Sequence, residues 1–397
     1  MNRDNFSILK SGIIYFDSGA TSLKPNCLIE STTNYYTKYS ANTHRGDYDI
    51  SIEVDHLYEH TRELVKELLN AKSINEIIYT SGTTDSLNRI IFGYFKHHLI
   101  SGDEVLLTKS EHASLILPWF ELADELALTI NYIPLNDNLK ITMEALKASI
   151  TPKTKVISVA HITNVVGDLR PLADIIKYAH EHHILVLVDG AQSVAHIPVD
   201  VQALDIDFLA FSAHKMLGPT GVGILYGKEK LLKEMRPMSF GGGMNASFSA
   251  NGTREYDDLP SLLEAGTPNI AGILGFGATL AYLMKIGLNK INTHEVMLRK
   301  YAIERLQEIP EITIYNEISE AGIITINYQD IFAQDLAIYL NKYHICVRAG
   351  NHCAKMLQDE LGIKNTCRIS FYLYNTTAEI DQLITVLKNP KIKEEII

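Results

Sequence analysis

Lys215 stands where a solvated lysine would not: it follows the apolar run Phe208-Leu209-Ala210-Phe211 and precedes Met216-Leu217-Gly218-Pro219. Its stem must lie on buried surface, and burial lowers an amine's pKa until part of it is neutral and nucleophilic toward carbonyls. Asp189 closes the run Ile184-Leu185-Val186-Leu187-Val188, and a carboxylate at the end of a buried strand is costly without a partner. His112 offers a flat, titratable ring a few residues after Glu104-Val105-Leu106-Leu107-Thr108. Gly82, Thr83 and Thr84 stand at a helix start and, with Ser212 and His214, have the composition of an anion-binding nest. The set is an amine for a carbonyl, an acid, a ring to lie against and donors for an anion.

The elements that must bring these side chains together follow a strand-then-helix rhythm with no internal repeat. Apolar runs at 75–80, 104–108, 155–160, 184–188, 208–211 and 222–226 read as strands. Helical patterns separate most of them, such as 171–183 before the run ending at Val188. Continuous apolar strands alternating with helices predict an α/β fold, a mainly parallel sheet covered on both faces. In such sheets ligands bind beyond the carboxyl ends of the strands. Those ends are where this chain keeps Thr83 and Thr84, Glu111 and His112, His161 and Asn164, Asp189 and Gln192, and Ser212, His214 and Lys215. From about residue 285 the texture changes to a charged helix (293–309), short strands near 323–328 and 345–348, and a last helix (378–387). The expected division is a large domain over 14–280 and a smaller α+β domain over 281–397, joined by residues 1–13.

Composition narrows the function classes. The chain of 397 residues is 46% hydrophobic and 21% charged, with a formal net charge of −11. That balance is globular, and it argues against nucleic-acid partners, which need clustered Lys and Arg to neutralise phosphates. No apolar run reaches the length of a membrane span, and the start MNRDNFSILKSG carries no signal-like pattern, so neither membrane attachment nor export is expected and the cytoplasm is. Cys27, Cys346, Cys353 and Cys367 contain no C-x-x-C pair, so they are expected to be thiols, with no metal site.

Pyridoxal phosphate needs an amine to hold its aldehyde, an acid to keep its pyridine nitrogen protonated, a flat group over the ring and donors for a dianionic phosphate. Lys215, Asp189, His112, and the nest of Thr83 and Thr84 with Ser212 and His214 supply that list. Through these residues, and through YFDSGATSLKP at Tyr15, NTHRGDYDIS at Asn42, YTSGTTDSLN at Tyr79, HITNVVGDLRP at His161, EAGTPN at Glu264, VRAGNHCA at Val347 and CRISFYLYNT at Cys367, nearly the whole sequence resembles the fold-type I, class-V aminotransferase-like enzymes. The R-x-G-x-H-C-A segment is similar to that of the group II, SufS-type cysteine desulfurases.

The resemblance implies a homodimer in which Thr267 reaches the neighbouring subunit's phosphate. It implies Lys215 as the covalent holder of pyridoxal phosphate, Asp189 at the pyridine nitrogen, His112 on the ring and Gln192 as a donor to its phenolate oxygen. Thr84, Ser212 and His214 would hold the phosphate. Asn164 and Arg368 would take the substrate carboxylate, with Arg348 and His44 nearby. Cys353 would be the thiol that receives sulfur from L-cysteine and passes it to an acceptor of the SufE or SufU type for iron-sulfur cluster assembly. Selenocysteine lyase and cysteine sulfinate desulfinase use the same kind of site, and an aminotransferase or epimerase of this class would not use Cys353. The sequence departs from the pattern at Ser114, at Asn351, and at Asp168 and Arg170. These positions are expected to line or flank the approach to the substrate.

Overall fold

The computed structural model describes residues 2–395. After two 3-10 turns, Arg3–Asn5 and Ser7–Ser11, the chain forms the short strand β1 (Ile14–Tyr15) and then builds a seven-stranded sheet from β2 (Ile77–Thr80), β3 (Glu104–Leu107), β4 (Thr129–Tyr132), β5 (Thr154–Ala160), β6 (Leu185–Asp189), β7 (Phe208–Ser212) and β8 (Gly223–Gly227). The spatial order is β2-β8-β7-β6-β5-β3-β4. Only β8 runs antiparallel to its neighbours.

The period of two along each strand decides which core a residue joins. Leu106, Ile157, Val186, Val188, Leu209 and Phe211 point to one face with helices Asp49–Leu69, Leu172–Glu181 and Ile270–Ile286. Val105, Leu107, Val156, Leu187, Phe208 and Ala210 point to the other, where Ile90, Ile91, Trp119 and Leu122 of helices Thr83–Gly93 and Ala113–Leu126 cover them. Burial on both faces is why these strands read as unbroken apolar runs.

An exposed hairpin follows, β9 (Asn245–Phe248) and β10 (Arg254–Tyr256). The C-terminal part then forms a four-stranded antiparallel sheet, ordered β11-β12-β15-β14, from β11 (Ile312–Ile314), β12 (Ile323–Tyr328), β14 (Arg348–Gly350) and β15 (Thr366–Ser370). The short β13 (Ile345–Cys346) leaves that sheet to pair in parallel with β1.

Three expectations shift. The run at 345–348 is two strands with different partners rather than one. The run at 75–80 begins as a 3-10 turn, Ile74–Glu76, before the strand starts at Ile77. The cores also divide elsewhere than at 280/281. Leu283, Leu288 and Ile291 stay with the large core and the small one starts at Leu298, while Ile14 and Phe16 join the small core and Phe6 the large one. Residues before 14 therefore straddle the two parts: Arg3 pairs with Glu379 at 2.8 Å, and Asn5 donates to the Tyr282 hydroxyl at 3.1 Å.

Candidate active site

A cavity of about 200 Å3 opens beyond the carboxyl ends of β5, β6 and β7, against the small sheet. It is lined by Thr83, Thr84, His112, Asn164, Asp189, Gln192, Ser212, His214, Lys215, Arg348 and Arg368 from the expected set, together with Gly19, Ser114 and His352.

Each strand end delivers its side chain by plain chain geometry. Asp189 is the last residue of β6, 5% exposed, and its Oδ1 accepts the Ala191 N–H at 2.9 Å. Burial pushes its carboxyl up to about 6, against the pull of that N–H and of Lys215. Lys215 ends the 3-10 turn that follows β7. Burial draws its amine down to about 8, with Arg368 and Arg348 adding to the effect and Asp189 opposing it. His112 caps helix Ala113–Leu126, its Nδ1 accepting the Ser114 N–H at 3.1 Å. Burial, then Lys215 and the two arginines, lowers its pKa to about 4. Its ring is neutral near pH 7, and with Nδ1 an acceptor the proton sits on Nε2.

The anion nest forms where helix Thr83–Gly93 starts. Gly82 has φ 155°, a conformation closed to side chains, and a Cβ on Gly223 would come within 2.4 Å of the Gly82 Cα. These glycines let the helix start press onto β8. Ser212 Oγ accepts the Thr83 N–H at 2.7 Å, and the Thr84 and Ser114 hydroxyls bond at 2.7 Å.

Arg368, on β15, donates from Nη1 to the Asn164 carbonyl at 2.9 Å and from Nη2 to Asp17 Oδ1 at 3.3 Å. Its Nε, the Asn164 Oδ1 and the Gln192 Oε1 are buried with no hydrogen-bond partner among the described residues. Such atoms at a cavity wall are the mark of a site built to receive a polar ligand. Gln192 Nε2 gives one of its two N–H donors to the Gly19 carbonyl at 2.8 Å.

Cys353 is exposed, a free thiol in the turn after β14. The turn is bonded to the cavity wall, since Asn164 Nδ2 donates to the His352 carbonyl at 2.6 Å and the Ala113 N–H to the Cys353 carbonyl at 2.8 Å. His352 is 3% exposed, its Nε2 2.9 Å from the Thr366 hydroxyl. Two expected residues stand apart. His44 lines a second, larger cavity of about 1100 Å3 that shares only Thr84 with the first. Thr267 is beside that cavity, its Oγ1 3.5 Å from Asn42 Nδ2.

Asp168 and Arg170 correct an expectation. They do not line the cavity; they are buried behind it. Arg170 pairs with Glu111 and donates to the Thr108 and Ser110 hydroxyls at 2.9 and 2.7 Å, while Glu111 Oε2 accepts the Ala160 N–H at 2.9 Å. This buried charge pair and its hydrogen bonds fix the segment that ends in His112, while Arg170 Nε lies 3.6 Å from Asp168 with no hydrogen-bond partner among the described residues. Ser114, expected to line or flank the approach to the substrate, lines the cavity, whereas Asp17 touches Arg368 without having been singled out. Nothing in the sequence pairs Asp17 with an arginine 351 positions away. Among the described residues no three His, Cys, Asp or Glu side chains converge as metal ligands do.

Known proteins are similar to this chain over nearly its whole length. The chain is 42% identical over 381 residues to a probable cysteine desulfurase of Halalkalibacterium halodurans, covering 96% of this chain and 94% of that one. The solved structure of the Escherichia coli cysteine desulfurase CsdA superposes with a TM-score of 0.93 at 35% identity, over 100% of this chain and 98% of that one. That of the Thermococcus onnurineus cysteine desulfurase gives 0.94 at 35% identity, over 99% and 97%. The aminotransferase class-V model matches residues 14–383. The chain belongs to the aminotransferase class-V family, whose cofactor is pyridoxal phosphate.

Proposed function

We propose that the protein is a pyridoxal phosphate-dependent L-cysteine desulfurase that moves sulfur from L-cysteine onto Cys353 and releases L-alanine. The observation that carries this reading is the joining of two halves: a cavity holding a depressed amine (Lys215), a buried acid (Asp189) and a neutral imidazole (His112), and an exposed thiol turn bonded to its wall. The orphaned Nε of Arg368 fits a carboxylate, and the helix that starts at Thr83, with no side chain on its N-cap Gly82 and with the Ser212 hydroxyl beside it, suits a phosphate. Pyridoxal phosphate, held by Lys215 and Asp189 with its phosphate on Thr83, Thr84, Ser212 and His214, would supply an electron sink for bonds at the substrate's α and β carbons.

Within that frame Lys215 takes and returns the proton at the substrate's Cα, a task suited to an amine whose pKa lies near 8. His112 Nε2–H donates. Arg368, with Asn164, orients the substrate carboxylate, and Arg348 adds positive charge at the cavity wall. The net step balances with no external oxidant or reductant: the substrate C–S bond and one S–H bond break, an S–S bond forms at Cys353 Sγ and a C–H bond at the substrate's β carbon, which becomes the methyl of alanine, and the persulfide keeps the second thiol hydrogen.

A homodimer in the cytoplasm, handing sulfur to an acceptor of the SufE or SufU type, completes the reading. Thr267 and His44 lie outside the first cavity, and a second copy would be what brings them to it. Phe240, Phe248 and Tyr256 are exposed near the hairpin, as a surface awaiting cover would be. An assay of alanine and sulfide with wild type and Cys353→Ala tests the function. Loss of both products in the variant is expected, whereas a transaminase or epimerase would keep its turnover.

A further inference from the structure

The turn that carries Cys353 has a backbone that most side chains avoid. His352 and Cys353 lie at φ 51° and 57°, both in the left-handed region. Two consecutive residues there persist only where the surroundings hold them. The Asn164 and Ala113 bonds tie the turn's carbonyls to the cavity wall. Two more bonds act from within the turn: Asn351 Oδ1 accepts the Cys353 N–H at 3.0 Å, and the Asn351 carbonyl accepts the Ala354 N–H at 2.8 Å. A side-chain amide that accepts the N–H two residues on closes a ring which mimics a backbone turn and favours this conformation.

We propose that Asn351 is a positioning residue for sulfur transfer, its amide oxygen fixing the direction in which Cys353 presents Sγ. The side chain is exposed and lies outside the residues that line the cavity, so it touches neither substrate nor cofactor. Its one bond to the cysteine is to the backbone. The inference rests on the reading of Cys353 as the sulfur acceptor, and its test separates the two.

Asn351→Ala removes the acceptor and leaves the core intact; Asn351→Asp keeps an oxygen at the same place. With the holoenzyme and saturating L-cysteine, single-turnover persulfide formation should slow about tenfold to a hundredfold in Asn351→Ala, the scale of a small misplacement of a reacting atom. KM and the visible spectrum of the bound cofactor should stay as in wild type. Asn351→Asp should recover to within about threefold of wild type. Hydrogen exchange of the peptide spanning residues 350–355, read by mass spectrometry without substrate, should quicken in Asn351→Ala and not in Asn351→Asp. A wild-type transfer rate in Asn351→Ala, or Asn351→Asp no better than Ala, overturns the proposal. If wild type forms no persulfide on Cys353, the functional reading fails instead. Hydrogen exchange then decides the positioning role alone: equal exchange in all three proteins defeats it.

Discussion

The cavity floor and the cysteine turn meet at one site but are built on opposite plans. On the floor, Asp189 and Lys215 follow directly from central strands, and the Arg170–Glu111 pair fixes the segment leading to His112 beneath a layer of buried hydroxyls. The turn holds Cys353 in the open, in a left-handed backbone, anchored by the Asn164 and Ala113 bonds, by the bonds to Asn351 and by one buried histidine. The contrast suits the two tasks. A group that must hold a cofactor and shift protons gains from a fixed, water-poor frame. A thiol in the role proposed for Cys353, accepting sulfur inside and giving it up outside, needs exposure on a short tether.

The largest expected effect separates the halves outright. Lys215→Ala and Cys353→Ala should each cut alanine production by at least about 10^3-fold. Only Lys215→Ala should lose its visible absorption after dialysis. Loss of colour in Cys353→Ala would mean the turn supports the floor and the division is wrong.

Next comes the floor's frame. Arg170→Met leaves Glu111 charged and alone in the interior, and breaking a buried pair this way costs about 3–5 kcal/mol. Urea unfolding should show that loss, and a change below about 1 kcal/mol would show that the pair is not what fixes the His112 segment.

The depressed amine gives a smaller, graded effect. The Lys215 amine is protonated below its folded value of about 8, and only the neutral form attacks an aldehyde. Uptake of pyridoxal phosphate by apo-protein should therefore slow about tenfold per pH unit below 8 and level off above it. A midpoint near the value of an exposed lysine would show that the floor is wetter than its packing implies. The smallest effect belongs to the turn's side of the site. Lys109 and Glu360 form an exposed pair between the β3 side and the helix after Cys353. Glu360→Ala should change stability by less than about 0.5 kcal/mol, as thermal melting would report.

The same contrast explains what the sequence made legible. The floor residues could be read because buried central strands are continuous apolar runs, and a lysine or aspartate ending such a run stands out. Strand β4 escaped notice because Thr129–Tyr132 is a half-exposed edge with little apolar content. The R-x-G-x-H-C-A segment and its cysteine were readable, but the Asn164 bond that holds the turn spans 188 positions and has no local signature. Asp168 and Arg170 misled for a related reason. A charged pair in a loop looks solvent-facing until its buried partners Glu111, Thr108 and Ser110, some sixty residues earlier, are seen around it.

The most direct test of the whole account is intact-protein and peptide mass spectrometry of the holoenzyme after brief incubation with L-cysteine, with free alanine measured in the same sample. The account predicts a gain of one sulfur on Cys353 in step with alanine in the first turnover. Alanine released while Cys353 remains unmodified and sulfur appears on another cysteine, or on none, would contradict it.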